Sequence, residues 1–117
     1  MANTFKNASL ADITTNGISA SHSGGLLYTC PSATTAIILG LAITNKTDNS
    51  VTASVQFTDA SDSNATRLLL NEVTIPANTT LEVLAGQKYV LEASDILKVQ
   101  ASAASSLDAV LGLMQIT

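Results

Sequence analysis

The alternation Val51-Thr52-Ala53-Ser54-Val55-Gln56-Phe57-Thr58 sets the strongest limit on what this chain folds into. Apolar and polar side chains take turns, the period of two required of a β-strand with one dry and one wet face. The run before it, Ala36–Ile43, is apolar on both faces. Such a strand needs cover twice, from its own core and from something else. Ala36, Gly40 and Ala42 give it a flat side on which another backbone can come close. The stretch 109–116 has the same character, with Val110, Met114 and Ile116 on one face and Leu111 and Leu113 on the other. Two sheets packed together cover only one face of each strand. The remaining faces of these two strands therefore need a loop or a neighbouring subunit.

A chain of 117 residues makes one domain, and 46% hydrophobic residues suffice for a real core. Only 12% of the residues are charged, against about 25% in ordinary globular domains. The surface is built mostly of Ser, Thr, Asn and Gln, as befits a protein packed into a larger assembly. The net charge is −4, and Lys6, Lys46, Arg67, Lys88 and Lys98 stand singly. That pattern argues against direct nucleic-acid binding, which needs clustered cations to neutralise phosphates. Aromatics are few (Phe5, Phe57, Tyr28, Tyr89) and tryptophan is absent, which leaves little for stacking on bases or sugars. No apolar run approaches the ~20 residues of a membrane span. The first residues show neither the basic nor the apolar region of a signal peptide, so synthesis in a cytoplasm is expected.

Strands are expected at Thr4–Ala8, Leu26–Thr29, Thr35–Thr44, Val51–Thr58, Thr66–Ile75, Thr80–Leu84, Lys88–Leu91, Ile96–Ala101 and Ala109–Ile116. Short turn signals separate them, as in sandwiches and barrels, and no helical period of useful length occurs. The expected fold is all-β: a single antiparallel β-sandwich, jelly-roll or Ig-like, with about eight strands. Residues 1–10 read as an N-terminal arm anchored only by Phe5 and Leu10, and residues 11–117 as the sandwich. Pro31-Ser-Ala-Thr-Thr35 and Pro76-Ala-Asn-Thr-Thr80 resemble each other and each leads into a strand, where a proline without a ladder donor is tolerated. Ile13–Gly25 is a long polar stretch, with turn signals at Asn16-Gly17 and Ser23–Gly25.

Chemistry is sparse. His22 lies in a Ser/Gly-rich loop with no nucleophile elbow, and a relay would need a carboxylate to orient it. Cys30, the only cysteine, excludes an intrachain disulfide and reads as a small buried hydrophobe with a raised pKa. Asp59, Asp62 and Asn64 lack the glycine and terminal Glu of a calcium loop and suit a turn that bonds its own backbone. Asp48 with Asn49 is the same case. Glu82, Glu92, Asp95 and Asp108 are isolated acids, and the Asn-x-Ser/Thr triplets at Asn7, Asn45, Asn64 and Asn78 read as chance matches. No catalytic, cofactor-binding or metal-binding residue is assigned, no cofactor is expected, and an enzyme is not expected.

Tyr28-Thr-Cys-Pro31, Thr34-Thr-Ala-Ile-Ile38, Val55-Gln-Phe-Thr-Asp59, Val73-Thr-Ile-Pro76 and Leu91-Glu-Ala-Ser-Asp95, with Ile96-Leu-Lys-Val99 behind it, form a pattern. It resembles a family of small tailed-phage virion proteins over about half of the chain. The resemblance implies a single-domain β-sandwich on the virion, as a head decoration (cement) protein or a tail-associated component, and contributes no catalytic residues. The expectation is a non-enzymatic capsid decoration protein, made in the host cytoplasm and held on the capsid surface. Its expected partners are the major capsid protein or another virion protein and further copies of itself, such as a trimer. Nucleic acid and membrane are not among them. Phe5, Leu10, Ala36, Ile38, Gly40, Ala42, Val110, Met114 and Ile116 are the expected oligomer or shell interface. A tail adaptor or fibre-base role is the alternative, with a host-surface or glycan-binding module behind it.

Overall fold

The fold was analysed in a computed structural model, which describes residues 3–15, 18, 25–84 and 88–117. The described residues form nine strands: β1 Asn3–Leu10, β2 Leu26–Thr29, β3 Thr35–Asn45, β4 Val51–Asp59, β5 Ala65–Ile75, β6 Thr80–Glu82, β7 Tyr89–Leu91, β8 Ile96–Ala101 and β9 Leu107–Ile116. Each expected strand is found, several with shifted ends. Residues 3–10, expected as an arm, are β1, paired with β9 from Asn3↔Ile116 to Leu10↔Ala109.

The strands form two antiparallel sheets. Sheet A runs β1-β9-β3-β6, with β7 also on β3, and sheet B runs β2-β8-β4-β5. The order is that of a long hairpin rolled on itself. β4 pairs β5 next to the bend, β3 pairs β6 and β7, β2 pairs β8, and β1 pairs β9 at the open end. β3–β9 and β4–β8 pairings then close the roll. This topology is a jelly roll, which decides between the two sandwiches compatible with the sequence.

The core lies between the sheets. β4 contributes Val51, Ala53 and Val55, β8 contributes Leu97, Val99 and Ala101, and β9 contributes Leu107, Ala109, Leu111 and Leu113, all buried. At about 1.5–3 kcal/mol for each fully buried Val, Leu or Ile, this apolar layer is the main drive to fold. Cys30 belongs to it, 1% exposed, with its Sγ donating to the Thr34 carbonyl at 3.3 Å. Burial pushes its thiol pKa up, which makes it inert.

Four strands begin with the same turn. Ala33, Asn78, Ser94 and Ser105 are left-handed, with φ of 54°, 56°, 73° and 57°, each two residues before the first residue of β3, β6, β8 and β9. The next side chain bonds back locally: Thr34 Oγ1 to the Ser32 carbonyl at 3.0 Å, Thr79 Oγ1 to Ala77 at 3.0 Å, and Ser106 Oγ to Ala104 at 3.2 Å. Such hydroxyl bonds replace ladder partners at a turn. The likeness of the two Pro-containing segments therefore lies in a turn that four strands share. At the fourth, buried Asp95 accepts instead, from the amides of Glu92 (2.8 Å) and Ala60 (2.9 Å).

Asn45 organises the opposite end of the roll. Fully buried, its Nδ2 donates to the carbonyls of Asn49 (2.8 Å) and Ile75 (2.9 Å), and its Oδ1 accepts from the Thr47 amide (3.0 Å) and hydroxyl (2.8 Å). Burial removes it as a glycosylation acceptor. Beside it on the surface, Lys46 Nζ meets Asp12 at 2.5 Å and Asp108 at 3.1 Å. The Asp12 amide also donates to Asp108, and this bond, with the Lys46 charge, holds the Asp108 carboxyl below its usual range.

Candidate interaction surface

The two sheets turn different faces outward, and the difference begins with a bulge. In β3, Ile38 pairs Leu113 and Gly40 pairs Gly112, so Leu39 is one residue too many for β9. A bulge of this kind interrupts the alternation. Before it, Ala36 and Ile38 face the core, 0% and 1% exposed; after it, Leu41 and Ile43 do. Simple alternation puts Ala36, Ile38, Gly40 and Ala42 on one face. The bulge instead sends Ala36 and Ile38 inward while Gly40 and Ala42 stay outside, so the first two leave the expected interface.

What remains outside carries a continuous apolar row. Register places Phe5 beside Met114, Met114 beside Ile37, and Ile37 beside Val90, one row across β1, β9, β3 and β7. Phe5 is 75% exposed and Val90 57%, with Met114 and Ile37 half-buried between them. A parallel row runs from Ser9 through Val110 and Ala42 to Glu82. Between the two rows lie Gly112 and Gly40, with Leu39 beside them. Ile116 pairs with Asn3 and Thr35 at the end of the face. Of the nine expected interface residues, Phe5, Gly40, Ala42, Val110, Met114 and Ile116 come together here. Leu10 pairs with Ala109 and packs half-buried against the core side.

Ile37, Leu39, Val90 and Gly112 belong to the same face and were not expected. Ile37 and Leu39 sit in a run apolar on both sides, where composition does not tell inside from outside. Gly112 carried a readable signal, a glycine in the middle of a strand. An added Cβ meets nothing within 4 Å at Gly112 and only Glu82 Oε1 at 3.8 Å at Gly40. The chain's own packing thus has room for a side chain at both positions.

The outer face of sheet B is polar on its two central strands, with exposed Leu26 and Leu68 at its edges in register with Lys98 and Gln56. It presents Thr52, Ser54, Gln56 and Thr58 from β4 and Lys98 and Gln100 from β8, paired in register. Ser54 is buried because its hydroxyl accepts the Glu72 amide at 2.9 Å, where β5 bulges and Glu72 takes a φ of 48°. Ile18 comes over this face: its amide donates to Gln100 Oε1 at 3.4 Å, and it lines a hollow with Gln56, Thr58 and Ile96.

The candidates for chemistry fall elsewhere. His22 lies outside the described residues. Asp59 caps the turn Ala60–Asp62, accepting from the Ser61 amide at 3.2 Å, while Ser63 and Asn64 are left-handed. The oxygens of Asp59, Glu92 and Asp95 lie within 4.8 Å of one another, but Asp95 is committed to two backbone amides. Tyr28 is half-buried and its hydroxyl accepts from Gln115 Nε2 at 2.6 Å across the sheets; burial leads the effects that raise its pKa. An apolar hollow of about 110 Å³ opens between the sheets beside β7, lined by Ile38, Phe57, Leu69 and Tyr89 among others. Among the described residues, no helix is long and apolar enough to cross a membrane.

No protein-family model matches this chain, so the tailed-phage resemblance has no family match behind it. No curated protein matches its sequence. Solved structures match its fold. One is the core of Drosophila NLP, a structure described for its pentamer formation and histone binding, at 10% identity and a TM-score of 0.53 over 97% of this chain and 99% of that one. Another is a chain of infectious bursal disease virus, Gx strain, at 10% identity and a TM-score of 0.54. It is covered over 98% of this chain, which spans about a third (32%) of the viral chain. At such identities the shared property is the sandwich fold.

Proposed function

We propose that this protein is a non-enzymatic structural component of a virus particle, and more finely a decoration protein that binds the outside of an assembled phage head. One observation carries the reading: the outer face of sheet A holds an apolar row across β1, β9, β3 and β7 that no described segment covers, and burying it against other subunits is its physical use. The jelly roll is a fold common among viral capsid domains, and one of the matched chains comes from a virus. The tailed-phage pattern in the sequence narrows the particle to a phage. The acidic balance suits the outer side of a shell, where no nucleic acid has to be neutralised.

Function then follows from binding. A protein that binds only the assembled shell stabilises it by mass action, by RT ln(1 + [L]/Kd) per site. Purified protein mixed with expanded heads is expected to co-sediment with them at many copies per particle, and to raise their resistance to heat and osmotic shock. Heads that neither bind it nor gain resistance contradict the reading. A handful of copies at one vertex would instead place the protein in the tail.

A further inference from the structure

We infer that the outer face of sheet A binds a second copy of this chain, sheet on sheet, across the Gly40–Gly112 pair. The inference rests on the reading of this face as a subunit contact and names the partner. Two observations carry it beyond the apolar row. The first is the glycine pair. A glycine inside a strand costs about 0.5–1 kcal/mol relative to alanine, and it marks places where another backbone comes close. Here two such glycines face each other in register, and no atom of the chain itself crowds either position.

The second is self-complementarity. Consider a two-fold axis lying in the plane of the face and crossing the strands at Gly40–Gly112. It lays the Gly40–Gly112 pairs of two copies on one another, with exposed Leu39 packing beside them, and the bulkier Ile37–Met114 row over the smaller Ala42–Val110 row. Phe5 then lies over Ser9 of the second copy. The only charged strand residues on this face, Glu82 and Asp108, pair with Ala42 and Thr44 toward one end. The axis carries Asp108 over the uncharged Thr35–Ile116 end of the other copy and Glu82 over its Val90, so two acidic chains meet without opposing their like charges. An acidic partner finds no matching charge on this face, and a basic one only Glu82 and Asp108, of which Asp108 is already paired with Lys46.

Area sets the strength. Four strands at about 4.8 Å and some seven residues at about 3.4 Å give roughly 450 Å² per copy, or about 900 Å² for the pair. Specific interfaces begin near about 1,000–1,200 Å², so an isolated pair falls among weak, transient contacts, and the range to search is a Kd of about 10–100 µM. Repetition over a shell strengthens such a contact.

Light scattering on the full chain across this concentration range tests the inference, with Gly112→Arg as the first variant. The open space at Gly112 lets the arginine fold outward, so circular dichroism and Tm stay near wild type. The wild type is expected to pass from monomer to dimer, and Gly112→Arg to stay monomeric, with Kd raised at least tenfold. Val110→Lys, at a site already 56% exposed, repeats the test should the arginine variant fold poorly. A wild type that stays monomeric at the highest concentration overturns the inference, and so does association that survives the folded variants. A monomer that still co-sediments with heads leaves the virion reading standing, and a dimer that does not bind heads does the reverse.

Discussion

The two outer faces of this sandwich are built on the same strand physics and used in opposite ways. On sheet B, β4 alternates cleanly and its outward residues are Thr52, Ser54, Gln56 and Thr58, with Ile18 laid over them. Its polar side chains are engaged inside the chain, as the Ser54–Glu72 bond shows. On sheet A the outward residues are Phe5, Met114, Ile37 and Val90, and no described segment covers them. Their side chains have no hydrogen-bonding capacity to satisfy, and 75% of Phe5 meets solvent. One face thus contributes to the stability of the monomer, while the other exposes apolar area that the proposed association would bury.

If that division is right, substitutions on the two faces separate stability from association. The largest stability effect falls on sheet B: Ser54→Ala removes the acceptor for the Glu72 amide. It should cost about 1–2 kcal/mol, read from the urea midpoint, without altering self-association. Next comes Ile37→Asp on sheet A, which should weaken self-association at least tenfold, about 1.4 kcal/mol. Sedimentation velocity reads the association, and urea unfolding of the dilute monomer should move by no more than about 0.5 kcal/mol. A smaller gain is expected from Glu72→Gly, because glycine accepts the left-handed φ of 48° at the β5 bulge without strain. Its Tm should rise, by the equivalent of about 0.5–1 kcal/mol. An unchanged or lower Tm would mean that the Glu72 side chain matters more than its backbone.

The smallest effect concerns the acidic corner beside the apolar face. Asp108 has a lowered carboxyl pKa, held first by the Asp12 amide and then by Lys46. A group whose pKa is lower when folded adds stability above its unfolded value and loses it as pH falls through the folded one. That loss should appear below about pH 4. The Asp108 side chain is 40% exposed, so the contribution is about 0.5 kcal/mol or less. Lys46 runs the other way. Its bonds to Asp12 and Asp108 raise its pKa, so its small contribution is present below about pH 10 and fades as pH rises beyond that. Thermal unfolding of Asp108→Asn should lose the acid dependence and keep most of the alkaline one, because Lys46 retains its bond to Asp12.

Much of the fold was legible because strand alternation and turn residues are local signals. Strands β2 to β9 lie where Val, Ile, Thr and Leu runs are broken by Pro, Asn, Asp, Ser and Gly, whereas β1 has no such run, and the faces of β4 and β9 follow from period two. The topology was not legible, since it depends on which distant strands pair, and jelly roll and Ig-like sandwiches share these local patterns. The candidate surface was half visible. Val110, Met114 and Ile116 fall on one side of β9 by alternation alone. In β3 the extra residue at Leu39 shifts the phase, and AIILGLAI offers no polar residue to mark where. Ala36 and Ile38 were therefore expected outside and lie in the core. Nor can a sequence show that Gly40 faces Gly112, because that register exists only once β3 and β9 are side by side.

Hydroxyl-radical footprinting across concentration reads both faces in one experiment. Between about 1 µM and several times the Kd range of about 10–100 µM, oxidation of Phe5 and Met114 should fall together, while Leu68 on the β5 edge of sheet B, 47% exposed, keeps its rate. Unchanged Phe5 and Met114 with protection at Leu68 would contradict the assignment of the outer face of sheet A as the associating surface.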